Sequence, residues 1–257
     1  MSLTPFYTIA HLTFLEAIRS RLLLLMAICW IILSAIVFFI SDIALTETQS
    51  LQIATSSALI RIIAFFTVSL FVINNITREY NDHFIDLLVA QAVPRSFIYL
   101  GKAAGHCTTA LFIAVILTPF LFFIAPAGQV FVWGATLIFE LWIIVIVAQF
   151  FASTLQNLPL SFTLTCIFYV LARLISWLQI MAESKLAEYA GVADTAIKFF
   201  LQALSIVIPD LSEFSATQWL LNERIAFDQI FAIFVQTILA ILLFLAAGLF
   251  DFYRRNL

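Results

Sequence analysis

The sequence predicts an all-α membrane protein with six transmembrane helices, preceded by an interfacial helix and carrying an amphipathic helix in its first large loop. Three observations lead there. The 257-residue chain is 64% hydrophobic and only 11% charged, with 28 phenylalanines and a mean hydropathy of +1.11. No soluble domain of this length has such a composition. Apolar runs near twenty residues recur along the chain, while strict alternation of apolar and polar residues does not, so helical spans are favoured over a barrel. Polar and charged residues gather in a few segments between these runs, the longest of them at 182–227.

Thr4-Pro5 is a helix start, a cap followed by proline in the first turn. Phe14, Leu15, Ile18 and Leu22 then share one face, and Thr13, Glu16, Arg19 and Ser20 the other. Residues 4–21 therefore read as an interfacial helix leading into the bilayer, or else as a polar N-terminal tail. The N-terminus does not read as a cleaved signal, because the first apolar run is too long. The spans are expected at about 22–41, 53–76, 103–124, 131–155, 159–181 and 228–250. Ala125-Pro126-Ala127-Gly128 and Gln156-Asn157-Leu158-Pro159 are tight connections. The whole chain forms one transmembrane domain.

Lysine and arginine set the orientation. Seven lie on one side (Arg19, Arg21, Arg78, Arg95, Lys102, Arg254, Arg255) and three on the other (Lys185, Lys198, Arg224). Both termini and the 77–102 loop are therefore expected in the cytoplasm, and the 182–227 region outside. The implied location is a bacterial inner (cytoplasmic) membrane. A net charge of −3 implies no nucleic-acid partner; membrane lipid is the expected surroundings. Cys29, Cys107 and Cys166 lie in apolar runs and read as small hydrophobes. No His/Cys/carboxylate cluster has metal-ligand spacing, and no catalytic motif is present.

The 77–102 loop is the most informative stretch. Read as a helix from Glu79, it places Glu79, Asp82, His83 and Asp86 on one face and Tyr80, Phe84, Leu87 and Leu88 on the other. Pro94 breaks it and Arg95 follows. From spacing alone such a helix either docks a partner or simply caps two spans. The string Glu79, Leu87, Leu88, Pro94, Arg95, Gly101, Lys102 resembles the first cytoplasmic loop of type-2 ABC exporter permeases, with Val93-Pro94-Arg95-Ser96 standing where that family has a Pro-Val-Ser-Arg pattern. The tail Phe252-Tyr253-Arg254-Arg255 resembles the endings of these permeases. Pro209-Asp210-Leu211 to Phe214 resembles an extracytoplasmic element of the branch associated with multi-copper enzyme maturation.

The resemblance implies an elbow helix at the N-terminus and a coupling helix in the loop. It also implies two copies of the chain working with two copies of a cytoplasmic ABC ATPase subunit, docked through Glu79, Asp82, His83, Asp86, Leu87, Leu88, Pro94 and Arg95. The chain itself carries no Gly-x-x-x-x-Gly-Lys-Ser/Thr loop. ATP and magnesium would belong to the partner, with no cofactor on this chain, which would not be an enzyme itself. The alternative is a polytopic membrane protein of another kind, a secondary carrier or a membrane-anchored assembly factor. A carrier built from repeats would show matching broken spans, and only Pro119 interrupts one here.

Three charges lie inside apolar runs: Arg61, Glu140 and Arg173. A charge at the centre of a span costs about 2.5–3.5 kcal/mol on insertion scales. Counting about 1.5 Å per residue from the outer span ends puts all three roughly 12–13 Å deep. They form either a structural ion pair of Glu140 with Arg173 or the polar lining of a substrate path.

Overall fold

A computed structural model describes residues 4–20, 22–43, 48–84, 93–186, 208–221 and 227–254. These form seven α-helices: α1 (Thr4–Arg19), α2 (Leu22–Ile43), α3 (Thr48–Asn81), α4 (Arg95–Leu117), α5 (Ala127–Leu155), α6 (Leu158–Leu186) and α7 (Phe227–Arg254). A 3-10 turn, Thr118–Phe123, extends α4, and another covers Thr217–Leu221. Five helices are long and apolar enough to cross a membrane, and a sixth span results if α1 and α2, which meet at 55°, count as one. Large apolar side chains point outward, among them Phe38, Phe131 and Phe250. A lipid environment accommodates such a surface, and with these long apolar helices the chain is an integral membrane protein.

The helix that organises the bundle is α5. Its sequence is apolar around its whole circumference, so no face prefers solvent. It packs on α3, α4, α6 and α7, and Trp133, Leu137, Leu141 and the run Ile143–Ala148 are all buried. It ends at Gln156, whose left-handed backbone (φ 51°) terminates the helix. Asn157 then caps α6, its Oδ1 accepting the Leu160 N–H at 3.1 Å. Half-buried indoles find carbonyl partners: Trp30 Nε1 donates to Ile116 O (3.0 Å) and Trp142 Nε1 to Cys107 O (3.1 Å).

A helix forms at Thr4–Arg19, but its buried residues lie off the face of large apolar residues, while Arg19 and Ser20 of the polar face are exposed. Thr13 and Ala17 are buried, and α1 lies against α4. The cause is a pair of glycines one turn apart on α4. A Cβ at Gly105 would come within 2.6 Å of Thr13 Cβ and 2.8 Å of Ala10 O, and one at Gly101 within 3.2 Å of Ile9 Cβ and Phe6 O. Small residues at this spacing allow two backbones to approach closely. Glu16 is consequently turned toward α3, where it pairs with Arg78 and accepts a hydrogen bond from Asn75.

Phe6 and Ile9 of α1 sit at Gly101, and Phe252 of α7 sits on Tyr99. Both described ends of the chain therefore lie at the end of the bundle that carries the α3–α4 connection, here the near end. The opposite, far end receives the segment 208–221.

Candidate functional site

The segment 208–221 comes from a region that reads as a polar external loop, yet it is core. Ile208, Leu211, Phe214, Trp219 and Leu220 are all buried against the helices. Asp210 folds the segment on itself, accepting the Ser212 N–H (2.9 Å) and hydroxyl (2.6 Å) at Oδ1. Its other carboxylate oxygen accepts from Ser176 of α6. The Leu211 N–H donates to Ala172 O on the same helix at 3.0 Å.

Three charged residues grip the tip of this segment. Glu140 of α5 is fully buried. Its Oε1 accepts from Arg173 Nη2 of α6 at 2.7 Å and from the Tyr169 hydroxyl at 3.2 Å; its Oε2 accepts from the Ser215 hydroxyl at 2.5 Å. Arg61 of α3 donates through Nε to Ser215 Oγ (3.1 Å) and through Nη2 to Ser215 O. The same carbonyl accepts from Trp133 Nε1 at 2.7 Å, and the Ser215 N–H donates to Thr136 Oγ1 at 3.3 Å. Every polar group of Ser215 is thus used. Its backbone is left-handed (φ 46°), a conformation disfavoured for a residue with a side chain and held here by its surroundings. Phe65 stacks on Tyr169 at 4.1 Å and the Arg173 guanidinium lies 5.7 Å from the same ring.

Arg61, Glu140 and Arg173, which the sequence places at one depth, therefore meet. Glu140 and Arg173 form a direct ion pair, and Ser215 links Arg61 to the same carboxylate. Ser215, Trp133, Thr136 and Tyr169 were not singled out by sequence reasoning. Trp133, Thr136 and Tyr169 are polar or amphipathic residues within apolar runs, which was the available signal. Two guanidiniums against one carboxylate leave one cation, and the carbonyls of Phe214 and Ser215 accept from the pair. Chemically, the cluster clamps an irregular segment in a low-dielectric site. Among the described residues no group of three His, Cys, Asp or Glu side chains is placed to hold a metal ion.

At the near end, α3 continues through Glu79 to Asn81, so the helix expected to begin at Glu79 does not begin there. Asp82 and His83 form a turn instead, and the left-handed backbone of His83 (φ 55°) cannot continue an α-helix. Glu79 is not presented with Asp82 and His83: its carboxylate pairs with Lys102 of α4, and both side chains are largely buried. Asp82 and His83 are exposed. Pro94 is extended (ψ 134°) and precedes α4, which Arg95 opens. Asp86, Leu87 and Leu88 lie outside the described residues.

A second polar layer lies between these two regions. His106 of α4 is fully buried. Its Nδ1 lies 3.2 Å from Gln149 Oε1 of α5, and its Nε2 lies 3.2 Å from Asn75 Oδ1 of α3.

No protein-family model matches the sequence, and no curated protein matches it.

Proposed function

We propose that this chain is the transmembrane permease subunit of an ATP-driven transporter of the type-2 ABC class, acting as an exporter. A second copy of the chain and two cytoplasmic ATPase subunits would complete the assembly, with ATP and magnesium held by the ATPase subunits. The observation that carries this reading is how the α3–α4 connection is anchored. Its two ends are tied together by the buried Glu79–Lys102 pair, and the exposed Asp82 and His83 stand beyond that tie. With 34 residues, α3 is about 51 Å long at about 1.5 Å per residue, against a hydrocarbon core of about 30 Å. It can carry the connection well clear of the bilayer. A tie between these two long helices passes a push received by one of them on to the other. The charge pattern and the resemblance of the 77–102 loop supply the partner.

The test is purification of the chain from its native membrane with its associated proteins. A nucleotide-binding subunit should accompany it. Charge reversal at Asp82 and Asp86 should lower the stimulated ATPase activity of the reconstituted complex, as a partial loss, because rim charges act mainly on orientation and association rate. Assembly and activity unchanged by both reversals would remove the docking role and favour a membrane protein outside the ABC class.

A further inference from the structure

Two carboxamides face His106, and both are held so that their oxygens point at the ring. Gln149 Nε2 donates to the Tyr99 carbonyl at 3.0 Å, and Asn75 Nδ2 donates to Glu16 Oε2 at 2.8 Å. Reversing Gln149 would set its oxygen against a carbonyl; reversing Asn75 would set its oxygen against a carboxylate. Amide orientation follows from such partners, and here each amide has one consistent choice. Both ring nitrogens of His106 then meet acceptors, at 3.2 Å each. A neutral imidazole has one N–H and one lone pair, so it satisfies only one of them. An imidazolium donates to both.

From this geometry we infer that His106 is a proton-binding site, and that the arrangement of α1, α3, α4 and α5 around it is that of the proton-bound form. When the proton leaves, a lone pair on one ring nitrogen faces an amide oxygen. Either Asn75 must turn away from Glu16 or Gln149 from Tyr99, so that a donor is offered instead. The proton is thereby coupled to the contact between α1 and α3 or to the one between α4 and α5. The charged groups around the site come in two pairs. Glu16 of α1 is matched with Arg78 of α3, and Glu79 of α3 with Lys102 of α4. α5 faces the ring with the neutral Gln149, and Phe71 of α3 presents a ring at 6.1 Å. Burial and the Lys102 ammonium, one turn away on α4, oppose the imidazolium, and the two fixed acceptors favour it. The proton-bound contacts are present at low pH and lost as pH rises. This inference concerns the chain alone and does not rest on the transporter reading.

The test is nitrogen-15 NMR of the full chain, with ring-labelled histidine, in lipid bilayers. The His106 signals are assigned by their loss in His106→Gln. Across about pH 5 to about pH 8, both ring nitrogens should carry protons at the acidic end, and one should be lost as pH rises. Glu16→Gln is the second arm. A glutamine at position 16 can accept from or donate to Asn75, so Asn75 is free to offer its NH2 to His106. The transition should then move down by about one pH unit or more, a tenfold weaker proton affinity. A purely structural role for Glu16 would leave it in place. A single neutral tautomer at every pH, or a transition that Glu16→Gln does not move, would overturn the proposal.

Discussion

The far-end cluster sets two half-buried guanidiniums against a fully buried carboxylate, whereas the layer at His106 buries an imidazole between two carboxamides. Both join helices remote in sequence. They differ in what completes them. At the far end, an irregular segment enters the bundle and spends its backbone on the charges: Ser215 alone meets Arg61, Glu140, Trp133 and Thr136. At His106 the helices satisfy one another, and α1 reaches the layer because Gly101 and Gly105 let it approach. The far-end charges are met by the backbone of an inserted segment, whereas the His106 ring is met by side chains of helices.

The largest expected effect breaks the far end. Glu140→Gln leaves two half-buried guanidiniums without their buried counter-charge. It should cost about 3–5 kcal/mol of stability, the usual result of removing one partner of a buried pair, measured by thermal or denaturant unfolding of the purified protein. A variant as stable as the parent would mean that the segment does not depend on the charges.

A smaller effect tests the close approach of α1 to α4. Gly105→Ala places a methyl group 2.6 Å from Thr13 Cβ and 2.8 Å from the Ala10 carbonyl, so the α1 backbone must shift. A loss of about 1–3 kcal/mol is expected. Gly128 has nothing within 4 Å of its added Cβ, so Gly128→Ala should be nearly neutral. Equal behaviour of the two variants would show that α1 is not seated as described.

The smallest effect is a pH dependence of the far-end segment. Glu213 is exposed, but partial desolvation, reinforced by Asp210, raises its carboxyl above the ordinary value. A carboxyl raised in the folded state favours folding when protonated, and that contribution is lost as pH rises through its folded value. The parent protein should therefore gain a little stability on acidification from neutral pH toward the carboxylate range, and Glu213→Gln should lack that part of the gain. Identical melting profiles for the two proteins would show that Glu213 does not feel the segment.

Much of the helix layout was legible in the sequence, since a twenty-residue apolar run has few alternatives. The common depth of Arg61, Glu140 and Arg173 followed from counting residues along those runs. The docking of 208–221 was not legible, because Leu211, Phe214, Trp219 and Leu220 sit in an irregular segment with no period to reveal a buried face. Helical periodicity also misled at α1. A pattern of large apolar residues marks the greasy face, but the buried one is set by small residues, Thr13 and Ala17, meeting glycines. The Gly-x-x-x-Gly spacing at 101 and 105 was the available sign. At the α3–α4 connection, the period through Glu79, Asp82 and Asp86 crosses a turn at His83 that no residue pattern marks, since left-handed histidine is uncommon.

The central claim is that buried charge clamps the 208–221 segment into the bundle, and a stability double-mutant cycle on Glu140 and Arg173 tests it most directly. Glu140→Gln should be strongly destabilising. Adding Arg173→Gln should recover part of the loss, because one of the two stranded cations is removed with it. The coupling energy should reach about 1–3 kcal/mol, the upper part of the range for residues in one network. A coupling near zero, with the two losses simply additive, would contradict the clamp.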